Sequence, residues 1–111
     1  MNTTDIGKNA EELVANQLKY DGHKIDYMNW RTRWCEIDIV SINKSCVYFT
    51  EVKFRNSNTW GDGFSYITPK KLKQMKFAAE MWISDKNWQG EAALQGASVD
   101  GEGNIEIIEL D

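Results

Sequence analysis

The segment that most constrains the fold of this chain runs from Glu36 to Lys53. In both halves of the segment apolar and polar residues alternate, as they do in strands that bury one face. The turn-like break Asn43-Lys44-Ser45-Cys46 separates the two halves, so we predict a β-hairpin. Within each half, charged residues share a face with apolar ones, which indicates a packed hairpin with charge toward its open end.

The register of this hairpin decides which side chains face one another. A four-residue loop gives the cross-strand pairs Ile42–Val47, Val40–Phe49, Asp38–Glu51 and Glu36–Lys53. A register with a two-residue loop would instead oppose Asp38 to Phe49, and the shared face is expected in both registers. In the first register two carboxylates are directly opposed, which is destabilising. A divalent cation would offset the repulsion, and Mg²⁺ binds through one or two carboxylates while it keeps several waters.

The hairpin belongs to a longer pattern along the chain. Asp38, followed after twelve residues by Glu51-Val52-Lys53, resembles the D…ExK core of restriction-endonuclease-like nucleases, although many hairpins hold this short pattern by chance. The wider pattern resembles the YraN-like family of small endonucleases, which is related to archaeal Holliday-junction resolvases. The matching pieces are Gly7-x-x-Ala10-Glu11 with Ala15, Gly22, Asn29-x-Arg31, Glu36-Ile37-Asp38, Glu51-Val52-Lys53-x-Arg55, Ile67-Thr68-Pro69-x-Lys71 and Ala78-Ala79.

The resemblance implies a metal-dependent endonuclease that hydrolyses phosphodiester bonds in DNA, including branched or Holliday-junction-like DNA. It implies that Asp38, Glu51 and the carbonyl oxygen of Val52 hold Mg²⁺, with Mn²⁺ as a substitute. Glu11 would reach the metal directly or through a water, although alone it reads as a surface carboxylate. Lys53 would orient the attacking water or neutralise charge on the phosphorane. The implied catalytic residues are therefore Glu11, Asp38, Glu51 and Lys53.

Other residues of the pattern are expected to contact the nucleic acid or support the metal ligands. The resemblance favours Arg31 and Arg55 as nucleic-acid contacts, since arginine suits phosphate oxygens. It favours Lys71 as a phosphate contact or an auxiliary catalytic residue. Glu36 would either support a metal ligand without binding the metal itself or pair with Lys53.

The net charge of −4 argues against a nucleic-acid-binding protein if the chain is taken as a whole. Residues 1–30 carry three Lys/Arg and five Asp/Glu, residues 31–76 carry nine and four, and residues 77–111 carry one and eight. The positive middle segment contains the hairpin, the following loop and the start of a helix, so a basic groove can form. We expect a nucleic-acid partner, with DNA favoured over RNA. The resemblance to resolvases also implies a homodimer.

Apolar spacing and turn signals predict the remaining elements. One helix is predicted over about 5–20, and another begins at Thr68-Pro69, where an N-cap precedes a proline. Strands are predicted over 24–30, both halves of the hairpin, 91–99 and 104–110. The prediction is an α/β fold with one mixed sheet of about five strands flanked by two main helices. The resemblance implies a restriction-endonuclease-like core, and residues 1–111 are expected to form a single domain.

The connection over 56–66 is long, polar and without a regular period, as binding loops often are. Its aromatic residues Trp60, Phe64 and Tyr66 fold back onto a core more often than they stack on bases. Phe77 faces solvent on the helical wheel, and contact with this loop or with a partner subunit would account for it. The stretch 92–96 lacks the Arg-Phe-Asp cluster that is usual in the YraN-like family, which leaves any substrate contact there open.

The other sequence features concern the cellular location, the cysteines and the alternative functions. No charged-then-apolar leader opens the chain and no apolar run approaches a membrane span, so we expect a cytoplasmic protein without a membrane partner. Cys35 and Cys46 lack metal-ligand spacing and are expected to be reduced packing residues. The alternative to an enzyme is a catalytically inactive nucleic-acid-binding module on the same fold. A protein-interaction domain, suggested by the acidic last third, is the third hypothesis.

Overall fold

The computed structural model describes residues 3–55 and 64–110, with side chains from residue 6 onwards. In chain order the elements are α1 (Thr3–Tyr20), β1 (Lys24–Arg31), β2 (Glu36–Asn43), β3 (Cys46–Phe54), α2 (Pro69–Lys86), β4 (Glu91–Val99) and β5 (Ile105–Leu110). These bounds confirm the predicted helices and strands closely. Most of the predicted binding loop, including Trp60, lies outside the described residues.

The strands form one mixed five-stranded sheet in the order β1-β2-β3-β4-β5. Neighbouring strands are antiparallel except for β3 and β4, which are parallel. Parallel neighbours need a crossover connection, and α2 supplies it. The predicted mixed sheet with two main helices is thereby confirmed, and none of the helices in the described residues is long and apolar enough to cross a membrane.

The two helices cover opposite faces of the sheet. Val47 and Phe49 of β3 join the core formed with α2, whereas Val52 and Phe54 of the same strand pack against the core formed with α1. Successive side chains of a strand point to opposite faces, so the change of parity along β3 assigns each face to one helix. The open end of the hairpin, where the charged residues lie, is sandwiched between these two layers.

Helix α1 packs on the sheet through Ala10, Val14 and Leu18, which are buried at helical spacing, whereas Leu13 is 43% exposed. Ala15 completes the buried surface. The small side chains at positions 10 and 15 bring the helix close to the sheet, and Glu11, which follows Ala10, lies at the edge of this buried stripe.

Helix α2 begins and ends where its local signals indicate. The Thr68 side chain accepts a hydrogen bond from the Lys71 backbone N–H at 3.1 Å, with Pro69 in the first turn. At the other end Asn87 adopts a left-handed conformation with φ of 51°. The buried side chains are Met75, Ala78, Ala79 and Trp82. Packing through these residues leaves Lys71, one turn before Met75, beside the sheet.

Candidate functional site

The hairpin has the register predicted for a four-residue loop, but its loop is shorter. Ile42 pairs with Val47, as expected, and Asn43 also pairs with Cys46. The loop is therefore the two residues 44–45, and the predicted four-residue length was wrong. Lys44 takes a φ of 57°, as tight two-residue hairpin turns require. The register with Asp38 opposite Phe49 does not occur.

The hairpin ladder stops before it reaches the carboxylates. The last pair of the ladder is Ile39–Thr50, so the predicted Asp38–Glu51 pair is not a regular rung. Instead Asp38 Oδ2 accepts a hydrogen bond from the backbone N–H of Val52 at 2.7 Å. A side-chain oxygen thus takes the place of a ladder partner and draws the carboxylate into the sheet.

The side chains of β2 do not alternate regularly across this point. Ile37 and Val40 both belong to the core under α2, whereas Ile39 belongs to the core under α1. Residues three apart cannot share a face of a regular strand, so the face predicted for Glu36, Asp38, Val40 and Ile42 is interrupted. The irregularity is what places an acidic side chain in the interior at this end of the strand.

Asp38 and Glu51 are in contact, as the sequence predicted, despite the break in the ladder. Asp38 is buried, with 8% of its surface exposed. Burial, followed by its hydrogen bond with Glu51 and the charge of that residue, raises the pKa of Asp38 to about 9. The Val52 N–H bond acts in the other direction and does not cancel the effect. Without a cation, the buried Asp38 carboxyl group therefore keeps its proton at neutral pH.

Glu11 is the third carboxyl group at this site. Burial against the sheet raises its pKa, and the charges of Glu36 and Glu51 add to this, while hydrogen bonds with Asn29 and Asp38 oppose it. The structure therefore places Glu11 beside Asp38 and Glu51, and its role at the site stays a prediction. Glu11 lies on α1, whereas Asp38 and Glu51 lie on β2 and β3. The site is therefore formed by a helix and the sheet together.

Asn29 is hydrogen-bonded to Glu11, a role that the sequence did not predict. Its backbone is left-handed, with φ of 55°, a conformation that asparagine tolerates better than most residues. Its side chain hydrogen-bonds to Glu11. The Asn29-x-Arg31 piece of the family pattern was the signal that marked this position.

The lysine that contacts the carboxylates is Lys71 rather than Lys53. Lys71 Nζ lies 2.6 Å from Glu51 Oε2, and the two side chains are 26% and 12% exposed. Burial lowers the pKa of Lys71, but the bond to Glu51 and its charge outweigh this, so the pKa is raised. Lys53 lies on β3 opposite Ser98 with an exposed side chain, and within the described segments no ion pair joins it to an acid.

Glu36 pairs with an arginine of the neighbouring strand. Arg31 and Glu36 are opposite each other in the β1–β2 ladder, and Arg31 Nη2 lies 3.1 Å from Glu36 Oε2. The predicted alternative that Glu36 pairs with Lys53 is wrong, because this ladder places the arginine directly opposite. Arg31 is 82% exposed, so the remaining N–H groups of its guanidinium face solvent.

Arg55, the other expected nucleic-acid contact, lies at the end of β3 beside the β4–β5 turn. Its backbone N–H donates to the carbonyl of Val99 at 2.7 Å. Its Nε is buried and has no hydrogen-bond partner in the described part of the chain. Hydrogen bonds from Asn104 lower the pKa of Asp100, and the nearby charge of Arg55 contributes to this. Arg55 therefore lies close to the acidic Asp100, and its contact with nucleic acid stays a prediction.

The described aromatic residues after the hairpin fold back onto the sheet, as the sequence favoured. The hydroxyl of Tyr66 lies 3.1 Å from the carbonyl oxygens of both Glu51 and Ala97. Phe64 is buried against Gly96, where an added Cβ would lie 3.0 Å from its ring. Tyr66 thereby ties the backbone of Glu51 to β4, a supporting role that the sequence did not reveal.

The donor set suits a hard divalent cation. Asp38 and Glu51 offer carboxylate oxygens, and Glu51 Oε2 is buried with Lys71 as its one partner among the described residues. Residues 3–55 and 64–110 contain no group of three acidic, His or Cys side chains arranged to hold a metal. Mg²⁺ requires only one or two carboxylates together with waters, so the carboxylate pair fits it.

Comparison with known proteins identifies the family of the chain. The model of the family described as "Uncharacterised protein family UPF0102" matches residues 10–109, which include every candidate site residue. The chain belongs to the UPF0102 family. This confirms the resemblance to the YraN-like group at the level of that family.

Curated relatives span most of the chain. A UPF0102 protein of Cytophaga hutchinsonii is 33% identical over 93 residues, which cover 84% of this chain and 82% of the relative. A UPF0102 protein of Sulfurihydrogenibium is 33% identical and covers 81% and 78%. A UPF0102 protein of Syntrophomonas wolfei is 35% identical over 79 residues, covering 71% and 69%. None of these three names states an activity.

Proposed function

We propose that this UPF0102 protein is a metal-dependent endonuclease of the restriction-endonuclease-like, PD-(D/E)xK class that hydrolyses phosphodiester bonds in DNA. The observation that carries the proposal is the contact between the buried carboxyl groups of Asp38 and Glu51, with Glu11 beside them. Burial of acids in contact is costly unless a cation or a proton neutralises them. Stability alone gives no reason to place three carboxyl groups together at the end of a hairpin.

The residues of this site would hold Mg²⁺ or Mn²⁺ through the carboxylates of Asp38 and Glu51 and the carbonyl oxygen of Val52. A cation held there supplies polarisation of the scissile phosphate and acidification of the attacking water. Glu11 would reach the cation directly or through a water, and its hydrogen bond with Asn29 keeps its carboxylate in position. Asp38 would have to lose its proton to act as a ligand, because a carboxylate binds a cation only in its charged form.

Lys71 and Lys53 have different roles in this proposal. Lys71 pairs with Glu51, and with a cation bound at the carboxylates its ammonium would be available to contact a non-bridging phosphate oxygen. Lys53, exposed on β3, lies where a bound strand can meet it, and it neutralises charge that develops on the phosphorane. Arg31 supplies a phosphate contact through its solvent-facing N–H groups.

A second candidate function is a nucleic-acid-binding module without catalysis. The observation that favours it is the Lys71–Glu51 ion pair, because an ammonium that satisfies the carboxylate permanently removes the need for a metal. Such a module binds DNA with a steep dependence on salt and releases no product in the presence of metal.

Cleavage of a labelled panel separates the two candidates. The panel holds a four-way junction, a flap, a duplex, and single-stranded DNA and RNA, each with Mg²⁺, with Mn²⁺ and with chelator. Wild type is compared with Lys53→Ala, and Lys44→Ala, an exposed lysine of the hairpin turn, serves as the matched control. Metal-dependent cutting that is lost in Lys53→Ala and kept in Lys44→Ala supports the nuclease. Full activity in Lys53→Ala would contradict the assignment, and salt-sensitive binding without cutting favours the module.

Symmetric cleavage of a branched junction needs two sites, so we also propose a homodimer. A gel-filtration mass of two chains, alone or with a four-way junction, supports this part of the proposal. A single-chain mass in both conditions would contradict junction resolution while leaving other DNA substrates open.

A further inference from the structure

An aromatic–basic cluster formed by Arg33, Trp34, Lys73 and Phe77 lies on the surface beside the carboxylate site. The rings of Trp34 and Phe77 pack with their centroids 5.9 Å apart and their planes inclined by 39°. Arg33 Cζ lies 5.2 Å from the centroid of the Trp34 ring, and Lys73 Nζ lies 5.8 Å from that of Phe77. Each ring of the pair therefore carries a cation.

The cluster is exposed to solvent, and hydrogen bonds fix the turn that carries Trp34. Phe77 is 38% exposed, and the side chains of Arg33 and Lys73 are exposed. The turn that carries Trp34 is fixed by Thr32, whose hydroxyl oxygen accepts from the backbone N–H groups of Trp34 and Cys35 at 3.1 Å. The rings are thus held in place, while the long cationic side chains remain able to move.

The cluster and the carboxylate site are adjacent. Lys71, which contacts Glu51, precedes Lys73 by two residues on α2 but lies on a different face of that helix. On the other side, Cys35 follows Trp34 directly, and it is close enough to Lys71 and Glu51 for their charges to act on its thiol. The Trp34–Cys35 segment therefore connects the cluster to the surroundings of the carboxylate site.

We propose that this cluster is a stacking platform for an unpaired nucleobase of the nucleic acid that occupies the carboxylate site. Aromatic side chains interleaved with basic ones are the combination that binds single strands, because rings stack on bases and cations meet the backbone. In an intact duplex the faces of the bases are already stacked, so the platform selects an unpaired or splayed nucleotide. Arg33 and Lys73 leave the ring faces to the base and pair with the flanking phosphates.

This inference rests on the proposed nucleic-acid function for its ligand but does not require cleavage. The test is therefore a binding measurement in chelator, by fluorescence anisotropy of one labelled DNA oligonucleotide, used as a single strand and as a duplex. Phe77→Ala is expected to weaken single-strand binding about tenfold, the size of the loss of one stacked base, with duplex binding little changed. Phe77→Tyr restores the affinity, because the ring is retained.

The control variant is Tyr20→Ala, which removes an aromatic side chain that is 88% exposed on α1. It should leave single-strand binding unchanged, and circular dichroism checks that every variant is folded. Equal losses for single strand and duplex in Phe77→Ala, or no loss at all, would overturn the platform. So would a change in sedimentation mass without a change in affinity, because the cluster would then be a contact between protein chains.

The outcomes for the platform and for the enzyme are distinguishable. Cleavage by wild type that is unaltered in Phe77→Ala, with unaltered single-strand affinity, removes the platform and leaves the nuclease. Single-strand binding that depends on Phe77, without cleavage of any substrate, leaves the platform on a binding module. Absence of binding to either form of DNA, together with absence of cleavage with Mg²⁺ or Mn²⁺, overturns both.

Discussion

Lys71 Nζ lies 2.6 Å from Glu51 Oε2, which joins the first turns of α2 to the open end of the hairpin. The ion pair spans the crossover between β3 and β4, so it ties together elements that local sequence signals specify separately. It also leaves Glu51 neutralised by an ammonium on one side while its contact with Asp38 lies on the other. A divalent cation that bound the two carboxylates would replace the Lys71 ammonium and the Asp38 proton as their neutralising charge.

Replacement of Lys71 tests this arrangement. Lys71→Met is expected to lower the free energy of unfolding by about 1–2 kcal/mol, between the values for exposed and buried pairs, because a mostly buried Glu51 loses its partner. Mg²⁺ should restore part of the loss, since it can take the place of the ammonium. Urea unfolding with and without Mg²⁺ measures both effects.

The control for that experiment is Lys70→Met, which removes an exposed lysine of the same helical turn. It should change stability by less than about 0.5 kcal/mol with or without Mg²⁺. A loss of the same size in both variants would show that Lys71 acts through general charge rather than through Glu51.

Asn29 offers a test of the support for Glu11. Asn29→Gly keeps the left-handed backbone without strain but removes the hydrogen bond to Glu11, whereas Asn29→Ala removes the bond and adds strain of about 1 kcal/mol. Both variants should weaken Mn²⁺ binding, and only Asn29→Ala should be markedly less stable. Mn²⁺ titration and urea unfolding separate the two effects, and unchanged metal binding in both variants would exclude a role for Asn29.

Much of the fold was predictable because its signals are local. Alternation and a turn-like break specified the hairpin, and Thr68-Pro69 specified the start of α2, since capping depends on residues within one turn. The closeness of Asp38 and Glu51 followed from the hairpin register. These features require no knowledge of how separate elements pack.

The details of the site depend on contacts between elements and were less predictable. The break in the ladder arises because Asp38 accepts the Val52 N–H, which no alternation of residue types reveals. The choice of Lys71 over Lys53 as the partner of Glu51 depends on how α2 packs on the sheet. The Arg31–Glu36 pair likewise depends on a β1–β2 register that is shifted by an irregularity between residues 25 and 27.

His23 gives a pH dependence of stability that is separate from the site. Its Nδ1 lies 2.9 Å from the buried Ser41 hydroxyl, and its ring packs 4.7 Å from that of Tyr48. Burial lowers the pKa of His23, and the charge of Asp21 opposes this only in part. A lowered folded-state pKa means that this contribution is present above the unfolded value of about 6.5 and is lost as the pH falls through the folded value.

His23→Gln should therefore lose less stability than wild type when the pH is lowered from about 7.5 to about 5. Chemical unfolding at the two pH values gives the comparison, and all other titrating groups are common to both proteins. Parallel losses would show that protonation of His23 is not linked to unfolding.

Gly90 is expected to fix the position of β4 beside the hairpin turn. A Cβ at this position would overlap the carbonyl oxygen of Ser45, a backbone atom that also accepts the N–H of Glu91 at 2.8 Å. Gly90→Ala should cost about 2–3 kcal/mol, because backbone has to move. Gly101→Ala, where a Cβ meets nothing within 4 Å, should be nearly neutral in the same unfolding assay, and similar losses in both would contradict the packing argument.

We propose that Asp38 and Glu51 form a divalent cation site, and a titration with Mn²⁺ measures binding at this site. Electron paramagnetic resonance measures free Mn²⁺ during titration of wild type, Asp38→Asn and, as a control on an exposed acid of α1, Glu12→Gln. We predict saturable binding to wild type and Glu12→Gln that is abolished in Asp38→Asn and accompanied by proton release. Binding of equal strength in Asp38→Asn, or absence of saturable binding to the folded wild type, would contradict the account.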